Sequence, residues 1–65
     1  MIDENGLKEM TREIMEQGYD RETAGLYASL IGDLPLSDKH GNLIVRDERG
    51  RELARLKPLK MFEQR

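Results

Sequence analysis

The stretch DKHGNLIVRDERGR, residues 38–51, contains one pattern twice: Asp38-x-x-Gly41-x and, nine residues later, Asp47-x-x-Gly50-x. Aspartate at the first position and glycine at the fourth are typical of a type I turn followed by a left-handed residue, a common loop of β-hairpins. A spacing of nine residues matches consecutive short strands. The stretch therefore predicts two successive hairpins, with strands at about 34–37, 42–46 and 51–57.

The two loops also predict a strand register. If Asp47 lies opposite Arg51, then Arg46 faces Glu52 across the strands, a favourable pair of opposite charges. In this register, one sheet face is expected to pack on the rest of the chain, and it carries Leu34, Leu36, Ile44, Ala54 and Leu56. The opposite face carries Pro35, Ser37, Leu43, Val45, Leu53 and Arg55.

Leu43, Val45 and Leu53 would then form an apolar cluster on the outer face of the sheet. Two coverings for this cluster are open. The tail 58–65 can fold over it through the apolar side chains Leu59, Met61 and Phe62. Alternatively, another protein or a second copy covers it, and the last strand is also an edge available for pairing.

Apolar residues recur at helical spacing before the hairpins and predict helices at about 4–17 and 21–31. The first helix would bury Leu7, Met10, Ile14 and Met15. The second would bury Ala24, Tyr27, Leu30 and Ile31, with Leu26 at the margin of the stripe.

The ends of these helices carry capping signals. Gly18 and Gly32 are predicted to end the two helices, and Asp20 is predicted to cap the start of the second. Helices joined by so short a connection must turn sharply and lie face to face or at a wide angle. The predicted fold class is α+β, with an N-terminal helical hairpin packed on a small three-stranded antiparallel β-meander, as a single small domain spanning 1–65.

The segment from Ile14 to Ala24 resembles the first helix, glycine–aromatic loop and second-helix start of ubiquitin-associated domains. This resemblance implies a tight helical corner, which capping preferences alone also produce. In that family the loop and a third helix form the binding face. Here strands are predicted instead of a third helix, and Gln17 stands where the family favours methionine, so the resemblance implies no shared partner.

The residues that could carry chemistry are few. There is no cysteine, so disulfides and thiolate ligands are excluded, and the one histidine, His40, lies in a predicted turn. Gly41 and Gly50 are single turn glycines and form no phosphate-binding loop. Neither serine, Ser29 or Ser37, lies in a strand-to-helix elbow of the kind that activates a nucleophile. The sequence therefore predicts no enzyme activity, no metal site and no cofactor.

Charge is divided unevenly along the chain. Residues 1–37 contain three basic and eight acidic side chains, whereas residues 38–65 contain eight basic and five acidic ones. No apolar run reaches the length of a membrane span, and the N-terminus lacks the pattern of a signal peptide. A cytoplasmic location is the resulting expectation.

These features predict a protein–protein interaction module, and the size of the chain favours a regulator or inhibitor of bacterial or mobile-element origin. The partner would be another protein or a second copy, without a membrane. The candidate partner-binding residues are Leu43, Val45, Leu53, Arg55 and Phe62. The alternative is a nucleic-acid-binding protein, against which the net charge of −2 counts. Its candidate contacts are Arg46, Arg49, Arg51, Lys57 and Lys60.

Overall fold

A computed structural model describes residues 4–62 and confirms the predicted α+β fold class. Two helices are followed by a three-stranded antiparallel sheet of order β1-β2-β3, and the helices pack on each other and on the sheet. The elements are α1 (Glu4–Glu16), α2 (Arg21–Asp33), β1 (Leu36–Ser37), β2 (Leu43–Arg46), β3 (Glu52–Leu56) and a 3-10 helix (Lys60–Phe62).

The corner between α1 and α2 follows the predicted capping chemistry. Gly18 takes a φ of 108°, and its N–H donates to the Met15 carbonyl at 3.0 Å, which ends α1. Asp20 then caps α2, because its side chain accepts a 2.8 Å hydrogen bond from the Thr23 N–H. The predicted end of α2 at Gly32 is wrong: the helix continues to Asp33, and the Leu34 N–H donates to the Leu30 carbonyl.

Both Asp-x-x-Gly loops form as predicted, with the same hydrogen bonds. Asp38 Oδ1 accepts from the backbone N–H groups of His40 and Asn42, and Asp47 Oδ1 accepts from those of Arg49 and Arg51, all at 2.8–2.9 Å. Gly41 and Gly50 have φ values of 88° and 82°. Only glycine adopts these angles without strain, so each loop closes its hairpin in one defined geometry.

A β-bulge in β3 overturns the predicted assignment of the sheet faces. Arg46 does pair with Glu52, but Val45 pairs with Ala54, so Leu53 is an extra residue without a partner on β2. In the predicted register without a bulge, these apolar side chains are divided between the two sheet faces. Beyond the bulge, they all lie on the same face: Leu43, Val45, Ala54 and Leu56. Burying this continuous apolar face against the helices is the physical reason for the bulge.

The predicted inner and outer residues are corrected accordingly. Leu43 and Val45, predicted on the outer face, are buried in the core. Ile44 and Leu36, predicted inside, are only half-buried, and Leu34 is 60% exposed. The fully buried side chains of the core come from both helices, the sheet and the tail: Met10, Ile14, Ala24, Ala28, Ile31, Val45, Leu56 and Leu59.

The described part of the tail is attached to α1. The Gln17 side chain donates to the Lys57 carbonyl at 3.0 Å and accepts from the Lys57 N–H at 2.9 Å. One turn earlier, the Glu13 carboxylate accepts from the Lys60 and Met61 N–H groups at 2.6 and 3.3 Å. Leu59 between them joins Leu43 and Val45 in the core, on the helix side of the sheet. Residues 63–65 of the predicted tail lie outside the described part of the chain.

Candidate interaction surfaces

The candidate partner-binding residues do not form one surface. The cluster of Leu43, Val45 and Leu53 is divided, since the first two lie in the core and only Leu53, at 43% exposure, faces solvent. Arg55 lies on the outer sheet face, where it binds acidic neighbours. Phe62 lies in the 3-10 helix, beside Pro58 and Leu59 at a separate depression of about 400 Å³. These five residues therefore do not form the exposed apolar surface that the sequence predicts.

Leu53 lies in a groove between α2 and the β2–β3 hairpin, called here the hairpin groove. Its floor consists of Leu26, Leu30 and Leu53, and its volume is about 300 Å³. Leu26 is 56% exposed, so two leucines of the groove are open to solvent. The rim is the hairpin loop, which contributes Asp47, Glu48, Arg49 and Arg51. An apolar floor with a charged rim is the general anatomy of a protein-binding surface.

The loop at the rim is held by its own side chains. Besides the two bonds to Asp47 Oδ1, Arg51 Nε donates to Asp47 Oδ2 at 3.0 Å. Arg46 donates to the Gly50 carbonyl at 2.8 Å. Among residues 4–62, the side chains of Glu48 and Arg49 make no hydrogen bond or ion pair, so they are available to a partner. The hairpin groove thus presents free charges of both signs from a preorganised loop.

The outer sheet face carries an ion-pair cluster in place of the expected apolar patch. Arg55 contacts Glu52 at 2.8 Å and Asp38 at 3.2 Å. The hydrogen bond from Arg55 lowers the pKa of Glu52. For Asp38, desolvation raises the pKa, but the hydrogen bonds from Asn42 and His40 together with the charge of Arg55 outweigh it, so the pKa is lowered. This cluster satisfies the charge of Arg55 within the chain.

Asp47 in the second hairpin loop and Asp20 at the start of α2 are expected to make stability depend on pH. The hydrogen bond from the Arg51 N–H is the main cause that lowers the pKa of Asp47, and the hydrogen bond from Thr23 lowers that of Asp20. A carboxyl whose pKa is lower in the folded state stabilises the fold above its unfolded pKa and loses this effect as pH falls through the folded value. We expect Tm to be nearly constant from about pH 7 to about pH 5 and to fall below about pH 4.

A pair of variants checks this assignment by thermal melting monitored by circular dichroism. Asp47→Asn keeps an acceptor for the loop N–H groups but has no charge, so its Tm should fall less steeply on acidification than that of the wild type. Glu48→Gln removes a neighbouring carboxylate that makes no hydrogen bond within residues 4–62, and it should keep the wild-type slope. Equal slopes for Asp47→Asn and the wild type would contradict the role of Asp47.

The basic residues of the nucleic-acid alternative lie in two groups. Arg46, Arg49 and Arg51 surround the hairpin loop, where Arg46 and Arg51 are engaged within the loop. Lys57 and Lys60 follow the opposite end of β3. At about 3.3 Å per residue, the Cα atoms of Arg51 and Lys57 are about 20 Å apart. The structure does not bring the five cations together into one basic patch.

A second groove, called here the helix groove, lies beside α1 and the start of α2, with a volume of about 550 Å³. Leu7, Thr11 and Met15 line it, and four charged side chains complete the lining: Glu4, Lys8, Arg12 and Arg21. None of these residues was a candidate site residue in the sequence. The sequence does contain one signal for the three cations of this groove. Lys8, Arg12 and Arg21 are the only basic side chains among residues 1–37, which carry eight acidic ones.

Within residues 4–62, no group of three His, Asp or Glu side chains is placed to hold a metal ion, and His40 is exposed in the first loop. No helix in this part of the chain has the length and apolar character needed to cross a bilayer. Comparison of the chain with models of protein families, with curated proteins and with solved structures found no match. The surface geometry is therefore the basis for any functional assignment.

Proposed function

We propose that this chain is a protein–protein interaction module that binds a segment of another protein in the hairpin groove. One observation carries the proposal: Leu26 and Leu53, both exposed large apolar residues, meet with Leu30 in one groove although they come from distant parts of the chain. Isolated exposed leucines need no explanation, but leucines that converge in a concave surface beside charged groups favour a binding role.

The rim indicates the chemistry of the partner. Glu48 and Arg49 are the charged groups of the rim that are not used inside the loop. A complementary segment would place a leucine-like side chain on the floor between a basic residue, which would face Glu48, and an acidic residue, which would face Arg49. Burying one such side chain completely would contribute about 1.5–3 kcal/mol, and the preorganised loop reduces the entropic cost of binding.

Capture of partners from a native host lysate on immobilised protein, compared among variants, tests the proposal. Leu26→Asp and Leu53→Asp place a charge on the groove floor and should each weaken binding of the captured protein at least about tenfold, a difference of about 1.4 kcal/mol. Leu34→Asp is the matched control, because Leu34 is the most exposed large hydrophobic residue among residues 4–62 and lies outside the groove lining. Equal capture by all four proteins would overturn the proposal.

Nucleic-acid binding is the competing function. It is tested on the same surface because two of its candidate contacts, Arg49 and Arg51, lie at the rim of the hairpin groove. Duplex DNA and single-stranded RNA should show no binding to the purified protein at low salt. Binding whose affinity falls steeply with salt and is lost in Arg49→Gln would favour nucleic acid as the partner. A role as regulator or inhibitor, and the bacterial or mobile-element origin, stay predictions.

A further inference from the structure

The helix groove combines an apolar floor with an unusual concentration of positive charge. Its floor is apolar because the only uncharged polar side chain there, Thr11, donates its hydroxyl hydrogen bond to the Leu7 carbonyl at 2.7 Å. Met15 is 41% exposed, and its flexible thioether can adapt to different apolar side chains. The helix groove shares no lining residue with the hairpin groove.

The charge around this groove opposes the charge of the segment that forms it. Among the described residues 4–37, seven side chains are acidic, yet only one of these, Glu4, lines the groove, whereas all three basic side chains of this segment do. A local excess of cations on an acidic half of the chain attracts an acidic partner and repels a basic one.

The three cations are available to such a partner. Arg21 makes no ion pair within residues 4–62. Lys8 is 4.0 Å from Glu4, with the two side chains 73% and 86% exposed. Arg12 contacts Glu9 at 2.6 Å, with side chains 67% and 46% exposed. Exposed pairs of this kind contribute between zero and about 1 kcal/mol, so a partner carboxylate can replace Glu4 or Glu9 at little cost.

We propose that the helix groove binds an acidic amphipathic helix of another protein. Its leucine-type side chains would contact Leu7 and Met15, and its carboxylates would face Lys8 and Arg12 on one side and Arg21 on the other. Lys8 and Arg12 are one turn apart on α1, a rise of about 6 Å, which carboxylates four residues apart on a partner helix would match. Recognition of this kind places an apolar helix face in a groove between flanking charges.

A protein helix fits the groove better than a membrane surface. The floor offers one exposed and one half-buried apolar side chain, Met15 and Leu7, and the rim offers three cations beside an acidic one, on a chain whose net charge is −2. Stable attachment to anionic lipid requires a larger apolar face and a stronger basic patch.

An NMR titration with designed peptides tests the proposal. The probe is a helical peptide of about 16 residues with leucine at helical spacing and glutamate on both flanks of that stripe. It should shift the backbone amide signals of Leu7, Thr11, Met15 and Arg21. A matched peptide with glutamine in place of glutamate should bind at least about tenfold more weakly. Raising the salt concentration from about 50 mM to about 300 mM should weaken binding of the glutamate peptide.

Variants locate the site and separate this proposal from the proposed function. Arg12→Gln and Arg21→Gln should each weaken binding about three- to tenfold, whereas Arg46→Gln, which removes an exposed cation at the hairpin loop, should not. Leu26→Asp should leave peptide binding unchanged, because it alters only the hairpin groove. Equal affinity for the glutamate and glutamine peptides, signal shifts confined to the hairpin groove, or binding to phosphatidylserine vesicles without binding to peptide would each overturn the proposal.

Discussion

Val45→Asp is expected to be unfolded at neutral pH, whereas Leu53→Asp is expected to remain folded. Val45 has no exposed surface, so an ionised carboxylate there would be buried without a partner, and such a charge costs several kcal/mol. A small domain has a total stability of only about 5 kcal/mol, so this loss removes the folded population. Leu53 is 43% exposed beside Arg49 and Arg51, where a carboxylate stays hydrated.

Far-UV circular dichroism and dispersion of the amide NMR spectrum of the two variants check this expectation. The comparison is matched because both substitutions place the same charged group on the same hairpin. In the register without a bulge, both side chains lie on the outer face and both variants would fold equally well. A folded Val45→Asp variant would therefore show that the bulge and the inward orientation of Val45 are wrong.

Leu59→Ala is expected to lower the free energy of unfolding by about 2–5 kcal/mol, because it leaves a cavity in the core. Leu59 is 1% exposed and lies between two sets of hydrogen bonds. One set joins the Gln17 side chain to the backbone of Lys57, and in the other the Glu13 carboxylate accepts from the Lys60 and Met61 N–H groups. Loss of the Leu59 side chain should also speed hydrogen exchange at the Lys60 and Met61 amides, since these depend on the attachment of the tail to α1.

Urea unfolding and amide hydrogen exchange measure these two effects. Phe62→Ala is the control, because it removes a larger side chain from the same tail at a position that is 37% exposed. Its loss of stability should be smaller than that of Leu59→Ala. If Phe62→Ala were the more damaging substitution, or if Leu59→Ala cost less than about 0.5 kcal/mol, the tail would not be part of the core.

Local signals predicted the turns and caps well. The two Asp-x-x-Gly loops, the Gly18 helix end and the Asp20 cap form as expected, because each depends on hydrogen bonds between residues at most four apart. The incorrect end of α2 at Gly32 has a local cause as well. Glycine favours a helix end only where the backbone takes a positive φ, and Gly32 does not take one.

The face assignment failed because a β-bulge is not visible in alternation. Side chains alternate strictly only while the ladder is regular, and Leu53 interrupts it by one residue. The predicted partner-binding cluster was wrong for the same reason, because Leu43 and Val45 lie in the core and only Leu53 is exposed. Leu26 and Leu30, on the second helix, became its neighbours through packing that no spacing in the sequence could indicate.

The polar contacts at the C-terminal end of α1 also depend on the tertiary structure and could not be predicted from the sequence. Glu13 and Gln17 are polar residues one turn apart in the sequence, yet in the structure their side chains bind backbone groups 40 or more positions away along the chain. Likewise, Lys8, Arg12 and Arg21 are ordinary charged residues in the sequence. Lys8 and Arg12 lie near Leu7 and Met15 because all four are on α1, but only the corner between the helices brings Arg21 to the same groove.

The helices, the strands, the chain reversals and the antiparallel pairing could all be predicted from the order of the residues, since short-range backbone hydrogen bonding and side-chain periodicity decide these features. The buried sheet face, the packing of the tail and the side chains that line the two grooves became known only from the folded chain. These features depend on the hydrophobic effect, which has no direction along the chain. It favours the arrangement that buries the most apolar area, and here that arrangement leaves Leu53 without a partner on β2.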